Sequence, residues 1–272
     1  MCIVTFVGFD SAWAGNPKKP GAICAAVLDG NRTLRFHEPE SATFCEGLER
    51  ICSWESVDGP TLIGLDQPTI VENLTGGRPV EAVAASVISF LGGGVQPANK
   101  QRPFFRPDAP IWRFIENLGA SHDPRIALTA KAGRHLIEVF PALALASYSE
   151  NFFGSRSGPR YNPSRRKTFS LESWRAVAEA AIGEASRFKC EALATWLARA
   201  GSIQSPTKRD QDRLDAALCL LVVLRWRLGR TSESAMIGDL RSGYMVSPIC
   251  EAVVDRLRYS ASRRGVPFGF AE

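Results

Sequence analysis

Several carboxylates in this sequence stand where they could act together. The run CIVTFVGFD climbs through Ile3, Val4, Phe6, Val7 and Phe9 and stops at Asp10. The run TLIGLDQP climbs through Leu62, Ile63 and Leu65 and stops at Asp66. A third apolar run, HLIEVFP, carries Glu138 near its end. Asp212 and Asp215, in DRLDAALCLLVV, are spaced i, i+3, which places them on one face near the start of a predicted helix. Converging carboxylates repel one another, and a divalent cation relieves the repulsion; Mg²⁺ prefers hard oxygen ligands of this kind. Two such ions roughly 3.5–4 Å apart form a clamp for in-line displacement at phosphorus. Each residue also has a plainer reading. Asp10 and Asp66 are good turn formers, the latter beside Pro68. Asp212 and Asp215 could complement a helix dipole. Glu138 could pair with an arginine such as Arg134.

For the acids to meet, the elements beneath them must be ordered in a particular way. Residues 3–9 read as a strand, GAICAAVLDGN as a second and TLRFHEP as a third, with Asp29-Gly30-Asn31 as the hairpin signal between the last two. SATFCEGLERICSW has Phe44, Leu48 and Ile51 at helical spacing, with Ser41 as its cap. TLIGLD is then a fourth strand. A helix opens at Pro79 and runs toward Gly92-Gly93-Gly94. HLIEVF is a fifth strand, and Pro141 opens the helix after it. LESWRAVAEAAIGEASRFKCEALATWLARAG is helical, with a break expected at Gly183. SPTKRDQDRLDAALCLLVVLRWRLG is the clearest helix, with Ser205 to cap it and Leu214, Ala217, Leu218, Leu221 and Val222 on one face. GYMVSP reads as a short strand and ICEAVVDRLRYSASRR as a final helix. If the first, fourth and fifth strands lie parallel and adjacent, their C-terminal ends share one edge, and ligands of open α/β sheets bind outside that edge. The expectation is one α/β domain over 1–272, with insertions at about 95–133, carrying a short helix near IWRFIENL, and at about 151–204.

Composition narrows the classes. The chain has 272 residues, 45% hydrophobic and 22% charged, which is ordinary for a globular protein and long enough to bury a core without staples. A formal charge of +5 and a pI near 8.9 permit a nucleic-acid partner without demanding one. Seven cysteines lack any CxxC and any zinc-finger pairing with the three histidines, so they read as reduced thiols of a cytoplasmic protein. No basic leader precedes an apolar core, and no apolar run is long enough for a membrane span.

Acid at the end of strand one, acid at the end of strand four and DxxDA opening a late apolar helix form an ordered constellation. It resembles the RNase H-like nuclease superfamily, and the DxxDA helix looks like that of its Holliday-junction resolvases. The chain more closely resembles the domain-of-unknown-function family four-twenty-nine, predicted nucleases of that superfamily. GFDSAW, GLDQP, GGRPVEAVA, GVQPANK, IEVFPALAL, DQDRLDAAL and GYMVSP carry the likeness in order along nearly the whole chain. The chain departs from many members at Pro79-Val80-Glu81, where they have a Cys-Asp pair. The resemblance implies a mixed five-stranded sheet flanked by helices. It also implies a site for Mg²⁺ or Mn²⁺ at Asp10, Asp66, Asp212 and Asp215, with Glu138 in a family motif, and hydrolysis of phosphodiester bonds by a two-metal carboxylate mechanism.

Between Asn151 and Leu171 there is no acid. Arg156, Arg160, Arg165, Arg166 and Lys167 are interleaved there with Phe152, Phe153, Tyr161 and Phe169, a composition suited to phosphates and bases. NKQRPFFR at 99–106 repeats the theme. A solvated loop with buried aromatics has the same composition. Two other functions share these features: an ATP-using enzyme of the actin and sugar-kinase type, and a catalytically silent module that binds nucleic acid or protein. The first needs a tight glycine cradle after strand one, and the glycines of DSAWAGNPKKPG stand far from Asp10. DNA or RNA stays open as the partner, as does a homodimer.

Overall fold

The computed structural model describes residues 3–11, 13–88, 94–149, 152–153 and 159–271. β1 (Val4–Asp10), β2 (Gly21–Leu28), β3 (Leu34–Ala42), β4 (Pro60–Leu65) and β5 (Gly133–Glu138) form one mixed sheet in the order β3-β2-β1-β4-β5. The first three strands meander antiparallel, while β4 and β5 run parallel to β1. The meander is set by its turn: the Asp29 carboxylate accepts from the N–H groups of Asn31 and Thr33, both at 2.9 Å. Parallel pairing needs crossovers. α1 (Phe44–Trp54) returns the chain to β4, and α2 (Pro79–Ile88), α3 (Pro110–Leu118) and α4 (Pro124–Thr129) lie between β4 and β5.

Both faces of the sheet are covered, and strand alternation decides what faces where. Val7, Phe9, Ile63 and Leu65 pack with Phe44 and Ile51 of α1 and Ile111 and Phe114 of α3. Phe6, Cys24 and Leu62 face the other way, onto a core built by α6 (Leu171–Arg187), α7 (Glu191–Gly201) and α8 (Lys208–Leu228). The helix between the two regions, α5 (Pro141–Tyr148), follows β5 directly. A second, antiparallel sheet in the order β7-β6-β8 comprises β6 (Ser234–Asp239), β7 (Gly243–Pro248) and β8 (Phe268–Phe270). It packs with α2, α5 and α9 (Glu251–Arg264) around Val80, Leu143, Ile237, Val253 and Leu257. Tyr244 ties it to the main sheet by donating to the Leu136 carbonyl at 3.0 Å.

Some local expectations are corrected. Ser41 lies in β3, and α1 is capped instead by Thr43, whose hydroxyl and backbone are bonded by Glu46 in a capping box. Thr207, two residues past Ser205, caps α8 in the same way with Asp210. Gly183 does not break its helix. An interior glycine costs about 1 kcal/mol, and the buried stripe of Trp174, Val177, Ala181 and Ala185 outweighs it. The break falls at Phe188–Cys190, with Lys189 at φ 55°. The insertion after α2 holds α4 as well as the expected α3. The described part of α2 ends at Ile88, and the stretch expected to carry it on, 89–93, lies outside the described residues. Among the described residues no helix is long and apolar enough to cross a membrane.

Candidate active site

Register brings the first two acids together. β1 and β4 pair in parallel with Gly8 opposite Gly64 and Phe9 opposite Leu65. The Asp66 N–H extends that ladder by donating to the Phe9 carbonyl at 2.9 Å. Asp10 and Asp66 therefore end neighbouring strands side by side, each two residues past a glycine and so on the glycine's face of the sheet. The glycines let α8 come down onto that face. A Cβ on Gly8 would stand 2.1 Å from the Ala216 carbonyl oxygen, and one on Gly64 would meet Val223 Cγ1 at 2.8 Å and the Cys219 oxygen at 2.9 Å. With its backbone against both strands, α8 carries Asp212 and Asp215 over Asp10 and Asp66.

The four acids share one cleft of ≈ 1410 Å³. Asp10 and Asp215 are buried, at 7% and 6% exposure, while Asp66 is partly exposed. Burial, then the charges of Asp215 and Asp66, hold the Asp10 carboxyl well above the usual range. Burial and Asp215 do the same to Asp66. Asp215 is raised by burial to about 6, moderated by Lys208 and Tyr161. Tyr161 donates to Asp215 Oδ1 at 2.8 Å and Gln211 to Oδ2 at 2.9 Å. Lys208 forms an ion pair with Asp212. Although partial burial disfavours the Lys208 charge, Asp10, Asp215 and Asp212 hold its pKa above the ordinary value.

The plainer readings of the aspartates lose ground. The dipole effect is confined to the first turn. Thr207 and Asp210 already cap α8, and Asp212 and Asp215 stand beyond that turn. Among the described residues no backbone N–H bonds to the carboxylate of Asp10 or Asp66, as a turn-forming aspartate would require. The donor chemistry suits a hard divalent cation. Among the described residues no three His, Cys, Asp or Glu side chains close around a single ion-sized point. Mg²⁺ is commonly held by one or two carboxylates, with water and substrate phosphate completing its shell, and the adjacent Asp10 and Asp66 fit that mode.

Glu138 reaches the same cleft, but its oxygens are engaged. Arg78 grips it twice, Nη2 to Oε1 at 2.6 Å and Nη1 to Oε2 at 2.9 Å, and the Thr69 N–H donates to Oε2 at 2.9 Å. The expected partner, Arg134, pairs instead with Glu55, Nη2 to Oε1 at 2.6 Å. Arg78 also bonds Glu81 at 2.9 Å and the Ile70 carbonyl at 3.1 Å. Glu138 thus fixes the turn that follows Asp66. Glu81, one of the residues where the chain departs from the family pattern, completes that buried network by accepting from the Ala98 N–H at 3.1 Å.

The basic loop divides. Arg160 and Arg165 line the cleft and are exposed; Arg166 and Lys167 are exposed outside it. Arg156 lies outside the described residues. Of its aromatics, Phe152 and Tyr161 are buried in the core, and Phe153 and Phe169 are half-buried against it. Sequence reasoning missed Lys18, Lys19, Lys208 and Arg209, which add to the cleft's basic rim. It also missed Tyr161 and Gln211 as partners of Asp215. The signal for the close helix approach was present in the repeated Gly-x-Asp of GFD and GLD.

A β3-β2-β1-β4-β5 sheet with acids at the ends of β1 and β4 and a long helix laid across them is an RNase H-like fold. Within that class the chain belongs to the family described as Protein of unknown function (DUF429), whose model matches residues 8–236. No curated protein matches it.

Proposed function

We propose that the protein is a metal-dependent nuclease. It hydrolyses phosphodiester bonds of nucleic acid with Asp10, Asp66, Asp212 and Asp215 as its acidic centre and Mg²⁺ or Mn²⁺ as its ion. The observation that carries this reading is an acidic floor beneath a basic rim in one cleft. A bound divalent ion supplies positive charge against the charge that develops on the reacting phosphate. Asp10 and Asp66 offer neighbouring oxygens to it, and their raised proton affinity makes ion binding compete with protons. Tyr161 and Gln211 hold the Asp215 carboxylate in one orientation. Glu138 acts through the turn it fixes and keeps Asp66 in place. The rim cations neutralise phosphates on either side of the one being cut. Free buried thiols at Cys24, Cys190 and Cys219 suit the reducing cytoplasm.

The test is a panel of labelled duplex, single strand, hybrid and branched junction, with Mg²⁺, Mn²⁺ or chelator. The parent should cut at least one substrate only with metal, and Asp10→Asn should cut none while melting no lower than the parent. Failure of the parent on every substrate with both metals, or equal cutting by Asp10→Asn, overturns the reading.

A further inference from the structure

The cleft is not the same at its two ends, and the strand order fixes which end is which. Along the C-terminal edge of β1 and β4 the order runs from β3 and β2, past Asp10 and Asp66, to β5. Strands are about 4.8 Å apart, so the β2 and β5 ends are separated by roughly 14 Å. At the β2–β3 end the lining is cationic. Lys18 and Lys19 precede β2, and Arg209 donates from Nε to the Ser41 hydroxyl at the end of β3, at 2.8 Å. At the β5 end the lining is apolar: Phe140, Ala142 and Val95 are half-buried and Met245 is buried. Arg78, at that end, is buried and already bonded to Glu81 and Glu138. Phe104, also half-buried, lines the cleft beside Trp13, with ring centroids 5.8 Å apart at 84°.

A uniform polyanion would be poorly served by such a groove, because its charges at the β5 end would meet apolar walls and the fixed Glu138. A chain that alternates charge with flat apolar rings would be well served. We infer that the β5 end is a nucleobase subsite. It takes the unpaired base beside the scissile phosphate and packs it against Phe140, while Lys18, Lys19 and Arg209 hold phosphates on the other side of the acids. The inference rests on the nuclease reading of the same cleft and adds the substrate class, nucleic acid that is single-stranded at the cut. In a duplex the base's faces are occupied by its stacked neighbours, so a paired substrate has to release it first at an energetic cost.

Binding in chelator separates this from cleavage. Fluorescence anisotropy compares an oligothymidylate, a fully abasic oligomer of the same length and a duplex of that length. The parent should bind the oligothymidylate about tenfold or more tightly than the abasic oligomer, the range of one stacked base, and more tightly than the duplex. Phe140→Leu keeps an apolar side chain and removes the ring, and should bring the first two affinities to within about twofold. Lys18→Ala with Lys19→Ala should weaken both equally and leave their ratio unchanged. Phe140→Met is a second variant should Phe140→Leu melt lower than the parent. A parent that cuts nucleic acid but binds both oligomers alike, or whose preference survives both aromatic variants, overturns the subsite and leaves the nuclease reading standing. A parent that neither binds nor cuts any nucleic acid overturns both.

Discussion

Neutralising Asp215 should make the metal-free protein more stable, which is the reverse of what removing a structural aspartate does. Asp215 titrates at about 6 instead of 3.8. A tenfold change in proton affinity is worth about 1.4 kcal/mol, so ionising it in the fold costs about 3 kcal/mol. In Asp215→Asn the amide oxygen still accepts from Tyr161. Its new N–H₂ group faces Gln211, whose Oε1 has no partner among the described residues, and a half-turn of the Gln211 amide supplies the acceptor. Weaker bonds to a neutral group return about 1 kcal/mol of the gain, leaving about 2 kcal/mol. At about 2.1 cal/mol/K of unfolding entropy per residue, a chain of this length should melt about 4 °C higher. The gain depends on pH in a defined direction. The folded carboxyl binds its proton more tightly than the unfolded one, so its contribution is fully present below 3.8 and is lost as pH rises through about 6. Parent and variant should therefore melt closer together at pH 4 and part between pH 4 and 7. Millimolar Mn²⁺ should then raise the parent by mass action and the variant much less. Calorimetric melts in chelator and in metal decide it. A variant melting below the parent in chelator at pH 7.5, with a parent indifferent to metal, would refute the carboxylate cluster.

Other consequences can be checked alongside. Asp10→Asn should abolish metal-dependent cleavage without loss of secondary structure by circular dichroism. Replacing Arg165, Arg166 and Lys167 together by Ala should flatten the log–log salt dependence of nucleic-acid binding by about one unit per lost phosphate contact; an unchanged slope would return that loop to solvent. Gly8→Ala should destabilise by about 3 kcal/mol, at the upper end for overpacking, because its Cβ meets helix backbone 2.1 Å away, and a denaturant midpoint equal to the parent's would show that α8 does not bear on β1. Glu138→Gln should weaken Mn²⁺ binding several-fold by titration while leaving some cleavage, since it loosens the Asp66 turn without removing a ligand; complete loss at saturating metal would give Glu138 a direct part in the reaction.

What could be read from the sequence followed from periodicity, and what could not followed from contacts across the chain. β1, β2 and β4 are apolar runs bounded by turn residues, so the order of the main-sheet strands and the crossovers between them were legible, as was the meeting of Asp10 and Asp66. The second sheet was only partly legible. GYMVSP reads as a strand, but its partner Ser234–Asp239 has no alternation, and Phe268–Phe270 is too short to carry any. Polar partnerships were the least legible. Arg134 is four residues from Glu138 and joins Glu55, whereas Arg78, 60 residues away, holds Glu138. Proximity in sequence ranked those arginines in the wrong order because Arg134 stands at the start of β5 and Glu138 at its end. The same reasoning explains why the basic loop was read too evenly. Alternating cations and aromatics suggested one surface, but the loop is pinned through its aromatics, with Tyr161 buried against Asp215 and Arg160, Arg165, Arg166 and Lys167 exposed. A tyrosine that anchors the loop and also bonds a site carboxylate couples the basic rim to the acidic floor: moving the loop to admit a substrate must disturb the hydrogen bond that orients Asp215.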